Sequence, residues 1–388
     1  MTVSESEPTR VLIAGVSTRA LAVSAVRAGY RVTAVDAFAD LDLRRVAEVI
    51  ALRPEYGTRY TPMLAATTAA GVSAEMVAYT SNFENYPAAV GRLATNRQLL
   101  GNPPSTLLRV RDPLALMRVL QRRLLPTPRT RATRPRDRHR LGSWLLKPRR
   151  SGGGHGTAVW RHGQPVPRTH YLQEVIAGVP GSIVFAANGR SAVPLGLSRQ
   201  MVGEAAFGAG GFRYCGSLLG SATSLFPGQK ELLATAERLV AAVSEEFGLV
   251  GVNGIDFIAR GGVPYPIEVN PRYSASMELV ERIRGLSIFE AHARACQGNL
   301  PEPCLDPVGV EGKAIVFARR NVTMGDTHSW VEHGSYADVP CPGEKILRGH
   351  PICTVFAHGT DAATCRRLLI RRAAGVYRTV EPRKRRAA

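Results

Sequence analysis

Several features are scarce in this 388-residue chain, and each absence argues against a class of protein. No apolar run reaches the roughly 18–20 residues that a membrane-spanning helix needs. The first ten residues are polar and include Glu5 and Glu7, unlike the basic and then apolar start of a signal peptide. The cysteines are scattered and form no Cys-x-x-Cys pair, which argues against a zinc site and a disulfide framework. We therefore expect a cytoplasmic protein without a membrane partner.

Lysine and aromatic residues are also scarce, although the chain is strongly basic. The formal net charge is +19, and it comes almost entirely from arginine. Two stretches are especially basic, 122–140 and 371–386, and neither is interleaved with the aromatic side chains that single-strand nucleic-acid binders use. A positive field concentrates small anions. The composition therefore favours an anionic small-molecule substrate over nucleic acid as the main partner.

The N-terminal sequence predicts an α/β unit. Arg10–Gly15 and Arg31–Asp36 are apolar strands separated by a helical stretch, 17–27, and this order predicts a parallel sheet. The Gly-x-Gly-x-x-Gly fingerprint is missing after Gly15, so dinucleotide binding is weakly supported. The run 101–104, Gly-Asn-Pro-Pro, marks a domain boundary.

A hairpin with carboxylates on both strands is the most informative motif. Asp256 and Glu268 lie in apolar strands joined by a turn at Gly261 and Gly262. Antiparallel pairing would bring the two carboxylates together, and Asn270 shares a strand face with Glu268. Hard oxygen ligands of this kind suit Mg²⁺ beside substrate phosphates, whereas the alternative is a solvated hairpin. Unpaired carboxylates are costly inside apolar strands, which favours the metal interpretation.

A lysine followed by a glycine-rich turn is the second motif. Lys147 ends an apolar strand, and Gly152, Gly153 and Gly154 follow, so their backbone N–H groups could approach phosphates closely. It is not a Walker loop, because no Gly-Lys-Ser/Thr opens a helix. The alternative is a flexible surface hairpin. A third element, Gln173-Glu174-Val175-Ile176, ends a strand before Gly178 and could present backbone groups to an adenine edge, or be an ordinary strand end.

The order of these motifs resembles the ATP-grasp superfamily. The resemblance covers roughly 104–298, and 11–100 looks like the α/β domain that precedes the ATP-grasp domain in that family. It implies an α/β N-terminal domain (1–103), an α+β ATP-grasp domain (104–300, with a lid at about 125–175) and a small β-rich C-terminal subdomain with a basic tail (301–388). It also implies ATP, two Mg²⁺ ions (with Mn²⁺ as the alternative ion), and small-molecule carboxylate and amine substrates.

The resemblance also assigns roles residue by residue. Lys147 would bind the α- and β-phosphates, Gly152 to Gly154 would cover the β- and γ-phosphates, and Gln173 to Ile176 would receive adenine. Asp256, Glu268 and Asn270 would hold Mg²⁺, and Arg272 would steady the γ-phosphate or an acylphosphate. A lysine that many members carry near the helix starting at Asp112 is absent, so that contact is missing or is made by Arg111.

The implied reaction is ATP-dependent joining of a carboxylate to an amine through an acylphosphate. Arg199 and Arg213 lie between the adenine segment and the hairpin, and we expect both to be catalytic rather than part of a solvated loop. A carboxylase and a catalytically retired MgATP-binding regulator are the alternatives. The segments 199–203, 212–217 and 349–353 resemble a group found with methanopterin- and methanofuran-type one-carbon carriers. A homodimer would fit the family.

Overall fold

The computed structural model describes residues 7–53, 59–134, 143–303 and 307–380. Parts of the predicted lid, and of both basic stretches, lie outside these described residues. Within them, no helix has the length and apolar character needed to cross a bilayer.

The N-terminal part is a five-stranded parallel sheet with the order β3-β2-β1-β4-β5. Its apolar strands are buried on both faces by helices, as a parallel sheet requires. The strands are Arg10–Gly15 (β1), Arg31–Asp36 (β2), Glu48–Ala51 (β3), Met76–Tyr79 (β4) and Gln98–Leu100 (β5). The helices are Arg19–Arg27 (α1), Leu41–Arg44 (α2), Pro62–Ala69 (α3) and Pro87–Leu93 (α4).

Asp36, at the end of β2, has no spare capacity for a ribose. Its carboxylate accepts from Thr18 N (2.6 Å) and Thr18 Oγ1 (2.7 Å), and from the backbone N–H groups of Phe38 and Ala39 (both 2.7 Å). The strand order reverses between β1 and β4, and open α/β sheets bind ligands at such a point. The N-terminal sheet therefore presents its carboxyl edge, rather than a dinucleotide fingerprint, to the rest of the molecule.

A connecting pair of helices and a small sheet follow. The helices are Pro104–Val110 (α5) and Pro113–Arg122 (α6), and Asp112 caps α6 by accepting from Leu114 N at 2.9 Å. The sheet has the order β6-β9-β7-β8 and encloses its own small core around Trp144 and Leu172. Its strands are Thr130–Arg131 (β6), Trp144–Pro148 (β7), Ala158–Val159 (β8) and His170–Glu174 (β9). We call β6 to β9 the lid sheet.

An eight-stranded central sheet carries the predicted hairpin. Its order is β14-β13-β10-β11-β12-β15-β19-β17, so strands from beyond residue 301 complete it. The strands are Val179–Asn188 (β10), Ala192–Val202 (β11), Tyr214–Leu219 (β12), Val250–Arg260 (β13), Val263–Asn270 (β14), Val310–Phe317 (β15), Tyr336–Ala337 (β17) and Pro351–Gly359 (β19). Val322–Thr323 (β16) and Lys345–Ile346 (β18) pair separately.

Two helices cover one face of the central sheet, while others pack on the opposite face. Leu232–Phe247 (α8) and Ala362–Val380 (α12) contribute to the largest apolar core. The remaining helices are Ala222–Leu225 (α7), Met277–Arg284 (α9), Ile288–Cys296 (α10) and His328–Glu332 (α11). The apolar residues of 278–296 would suit one continuous helix, but the structure divides this stretch into α9 and α10. Gly285 adopts a left-handed φ of 69° and ends α9, and Ser287 caps α10 by accepting from Glu290 N.

A buried set of charges connects the N-terminal sheet, α9 and the C-terminal strands. Arg19 forms an ion pair with Glu278 and lies 3.0 Å from Asp338 Oδ1 and 3.5 Å from Asp42 Oδ2. Lys313 Nζ lies 2.6 Å from Glu278 Oε2. We call Arg19, Asp42, Glu278, Lys313 and Asp338 the buried network.

Candidate active site

The hairpin formed by β13 and β14 places the three predicted metal ligands together. Asp256 pairs directly with Glu268, and Gly254 pairs with Asn270. Directly opposite residues have Cβ atoms about 4.5–5.5 Å apart. Asn270 Nδ2 donates to Asp256 Oδ2 at 3.0 Å. A β-bulge follows Asp256, which bends the strand next to these side chains.

The electrostatics of this hairpin favour a cation. Burial, followed by the neighbouring Glu268 carboxylate, raises the pKa of Asp256 to about 7. Gln200, from β11, donates through Nε2 to Asp256 Oδ1 at 3.0 Å. These hydrogen bonds orient the carboxylate, but neither partner carries a positive charge. A divalent cation would supply the missing charge.

Arg272 links the hairpin to the N-terminal sheet. Its Nη2 lies 2.9 Å from Glu84 Oε1 and donates to Asn270 Oδ1 at 3.2 Å. Burial alone would lower the Arg272 pKa, but the Glu84 carboxylate raises it, so the guanidinium stays charged. Arg272 Nε is buried without a hydrogen-bond partner in the described chain. An unmatched buried donor of this kind is costly unless an anion accepts from it.

The glycine turn lies against β12 rather than standing free. Gly153 O accepts from Tyr214 N at 3.1 Å, and a Cβ on Gly154 would come within 1.8 Å of Phe212 O. Gly154 also has a φ of 79°, so only glycine fits there. Within the described residues, the N–H groups of Gly152, Gly153 and Gly154 have no acceptor, which leaves them available to phosphate oxygens.

Lys147 belongs to β7 of the lid sheet, and its side chain is connected to the hairpin through Gln173. Its Nζ donates to Gln173 Oε1 at 3.0 Å, and Gln173 Nε2 donates to Ile267 O, one residue before Glu268, at 3.3 Å. Gln173 is fully buried, so this bridge is fixed by packing. The structure thus brings Lys147 and Gln173 to the strand that carries the metal ligands.

Arg111 fastens the glycine turn to the hairpin. It donates to Ser151 O (2.9 Å), to Val269 O (2.8 Å) and to Asn85 Oδ1 (2.9 Å). Its Nη1 also lies 3.7 Å from Glu268 Oε2. Of the two alternatives for the missing lysine, this geometry favours the one in which Arg111 occupies the position.

The predicted adenine segment is at the outer end of β9. Glu174 accepts from Arg129 N (3.0 Å) and Arg129 Nη2 (3.1 Å), so its side chain is already paired. Val175 is partly exposed and donates its N–H to Ser143 O at 2.9 Å, while Ile176 is nearly buried. An apolar Ile176 beside open backbone suits a flat base, and the adenine assignment stays a prediction.

The two predicted catalytic arginines lie in different places. Arg213 is close to the glycine turn, and its Nη1 donates to Gly349 O at 2.6 Å, which joins two segments that the sequence singled out. Arg199 is on β11, one residue before Gln200, and successive side chains of a strand point to opposite faces. Because Gln200 reaches Asp256, Arg199 faces away from the metal ligands. It lines a cavity between β11 and α12 instead.

Sequence reasoning missed Glu84, Asn85 and Gln200. Glu84 and Asn85 follow β4 at the carboxyl edge of the parallel sheet, where ligands bind in such folds, and that rule could have located them. Gln200 gave no local signal, because β11 was not predicted as a strand.

A family model described as an ATP-grasp domain matches residues 110–276. The chain contains an ATP-grasp domain. The predicted resemblance to the ATP-grasp superfamily and the predicted fold class are both confirmed. One relative, an uncharacterized protein of Methanocaldococcus jannaschii, is 30% identical over 115 residues, 30% of this chain and 28% of that protein. The formate-dependent phosphoribosylglycinamide formyltransferase of Thioalkalivibrio sulfidiphilus is 31% identical over 170 residues, 40% of this chain and 39% of that protein. The chain spans between 25% and 39% of the length of the curated relatives it matches.

Solved structures share the fold over nearly the whole chain. N5-carboxyaminoimidazole ribonucleotide synthetase from Thermus thermophilus is similar with a TM-score of 0.66 and 21% identity, covering 96% of this chain and 100% of that one. The L-amino acid ligase of Bacillus licheniformis gives 0.65 and 15%, covering 95% and 98%. The biotin carboxylase domain of Hydrogenobacter thermophilus 2-oxoglutarate carboxylase, solved with MgADP, gives 0.69 and 15%, covering 97% and 91%. At these identities the likeness concerns the fold.

Proposed function

We propose that this protein is an ATP-dependent carboxylate–amine ligase that forms an amide through an acylphosphate. The pairing of Asp256 with Glu268, two partly buried carboxylates with no cationic side chain bonded to Asp256, carries the proposal. The relatives named as formate-dependent formyltransferases support it, because formate is a carboxylate and phosphoribosylglycinamide is named as their formyl acceptor.

Three parts of the chain would each contact a different part of the phosphate chain. The free N–H groups of the glycine turn would hold the β- and γ-phosphates, and Lys147 would neutralise charge beside them. Arg272, with its unmatched Nε, would meet the transferred phosphoryl group. Positioning and charge neutralisation supply most of the catalysis in phosphoryl transfer, so no nucleophilic side chain is needed.

The residues present fit Mg²⁺. Asp256 and Glu268 offer carboxylate oxygens, and Asn270 Oδ1 keeps a lone pair beyond the one that Arg272 occupies. When bound, Mg²⁺ supplies positive charge to the phosphate oxygens. Asp256 must lose its proton to act as a ligand, and its raised pKa makes this the step that couples metal affinity to pH.

The proposal extends to the chemical class of the amine substrate. Glu84 reaches the same region from the N-terminal sheet, where its carboxylate pairs with Arg272. The segments around Arg213 and Gly349 come together beside the glycine turn, and they are the ones that resemble proteins of one-carbon carrier metabolism. We infer that the acceptor is an amine precursor of such a carrier.

The deciding experiment measures ADP and phosphate formation from MgATP. Purified protein is incubated with pooled carboxylates, pooled amines, or both, and with bicarbonate in place of the carboxylates. ADP that forms only when a carboxylate and an amine are both present supports the ligase. ADP that needs bicarbonate alone would favour a carboxylase, and tight MgATP binding without turnover in any pool would contradict the proposal in favour of a regulator.

A further inference from the structure

A cavity lies on the face of the central sheet that carries Arg199, opposite to the metal ligands. It has a volume of about 800 Å³ and lies between β11, the turn after α7 and the first residues of α12. Its floor is apolar and includes Pro180, Met201 and Leu218. Its wall carries three arginines, Arg199, Arg366 and Arg367. We call this space the rear cleft.

The acidic residues of the rear cleft do not balance these arginines. Glu204 is taken by Arg366, with an Nη2–Oε2 distance of 2.7 Å. Asp361 caps α12, where it accepts from Thr364 N and Thr364 Oγ1, both at 2.8 Å.

The other two arginines have no carboxylate partner there. Arg367 donates to the neutral Thr364 hydroxyl at 2.8 Å. The side chain of Arg199 makes no hydrogen bond or ion pair with any residue that the structure describes. Two guanidinium groups therefore face the same cavity without a carboxylate bonded to either of them. Arginine forks bind carboxylates and phosphates in a bidentate manner, so an anion fits this wall.

We propose that the rear cleft binds a small molecule that has an apolar body and two negative charges, carried by phosphate or carboxylate groups. The apolar floor would contact the body, and Arg199 and Arg367 would hold the charged groups. This site goes beyond the proposed ligase reaction, because it lies on the other face of β11 from Asp256. Gln200 lines the rear cleft and also bonds Asp256, so the test leaves Gln200 unchanged and alters only the arginines.

The test uses phenyl phosphate and isophthalate as probes, one for each kind of anionic group. Each is titrated calorimetrically into the full-length protein in the presence of saturating ADP and Mg²⁺, which occupy the nucleotide site. Arg199→Gln and Arg367→Gln should each weaken binding of the preferred probe about tenfold or more, the scale of one lost charge-assisted contact. The probe that binds more tightly identifies phosphate or carboxylate as the recognised group.

Matched variants keep the result specific. Arg378→Gln removes the same charge from the exposed face of α12, roughly 18 Å along the helix from Arg366, and should leave binding unchanged. Lys147→Ala should also leave it unchanged. Equal weakening by Arg378→Gln would show that the probe is attracted nonspecifically by positive charge. Loss of binding in Lys147→Ala would place the probe at the glycine turn. No binding of either probe to the unmodified protein would show that the rear cleft does not bind such anions. Each of these three outcomes overturns the proposal.

Discussion

Two clusters of partly buried carboxylates lie in this molecule, and they differ in how their charge is balanced. In the buried network, burial would raise the pKa of Glu278, but Arg19 and Lys313 hold that pKa well below its usual range. In the hairpin, burial and Glu268 raise the pKa of Asp256 to about 7, because only neutral side chains bond to it.

The contrast separates a structural role from a functional one. In the network, Arg19 pairs with each of the three carboxylates and Lys313 pairs with Glu278, which ties three parts of the chain together. In the hairpin, Arg111 lies 3.7 Å from Glu268, but no cationic side chain bonds to Asp256, and this arrangement is costly unless a ligand arrives. Perturbed carboxylates of the second kind are typical of functional sites.

The largest expected effect is on turnover. Asp256→Asn should lower kcat for ATP cleavage at least about 10³-fold, because it removes a ligand that helps to hold the charge-neutralising ion. The same change removes an acid–acid contact, so the free energy of unfolding should stay the same or rise. Enzyme assay and urea denaturation measure the two quantities. Full activity in Asp256→Asn would refute the metal assignment.

The reverse pattern is expected in the buried network. Arg19→Met should lower the free energy of unfolding by about 3–5 kcal/mol, because Glu278, Asp42 and Asp338 lose a buried partner. Arg31→Met is the control, since its pair with Glu48 is solvent-exposed and should matter little. Equal losses of stability in the two variants would remove the distinction between the clusters.

A buried histidine adds a neutral group to the comparison. Burial lowers the pKa of His292 to about 4, so the unfolded chain binds its proton first as the pH falls from about 6.5. Stability should therefore fall between pH 6.5 and pH 4, by at most roughly 3 kcal/mol from this group. His292→Gln should flatten that part of the pH profile in urea titrations. Identical slopes in the two proteins would show that His292 does not contribute.

The smallest effect concerns the nucleotide. Lys147→Ala should weaken MgATP binding by about 1.5–3 kcal/mol, the range of a hydrogen bond to a charged group. Lys230→Ala, an exposed lysine ahead of α8, is the matched control. Equilibrium titration with MgATP measures both. An unchanged dissociation constant in Lys147→Ala would mean that Lys147 does not contact the phosphates.

The sequence predicted the hairpin because every signal for it is local. Alternating apolar residues, the Gly261–Gly262 turn and the positions of Asp256 and Glu268 together determine the register that the structure shows. The strand Trp144–Pro148 was predicted for the same reason.

Contacts between distant segments could not be predicted from local sequence patterns. β11 and β12 contain glycine, serine and arginine. They pair with β10 and with each other, but β12 also pairs with β15, which lies far along the chain. Without those strands, nothing indicated that Gln200 faces Asp256 while Arg199 faces away. Glu84 reaches Arg272 across 188 positions, a separation that no periodic pattern encodes.

The most direct test of the account is to count the metal ions at the hairpin. Mn²⁺ is titrated into the protein with a non-hydrolysable ATP analogue and followed by electron paramagnetic resonance, for the unmodified chain and for Glu268→Gln. We predict nucleotide-dependent binding of Mn²⁺ that is lost, or greatly weakened, in the variant. Binding of the same number of ions with the same affinity in Glu268→Gln would contradict the claim that Asp256 and Glu268 form the metal site.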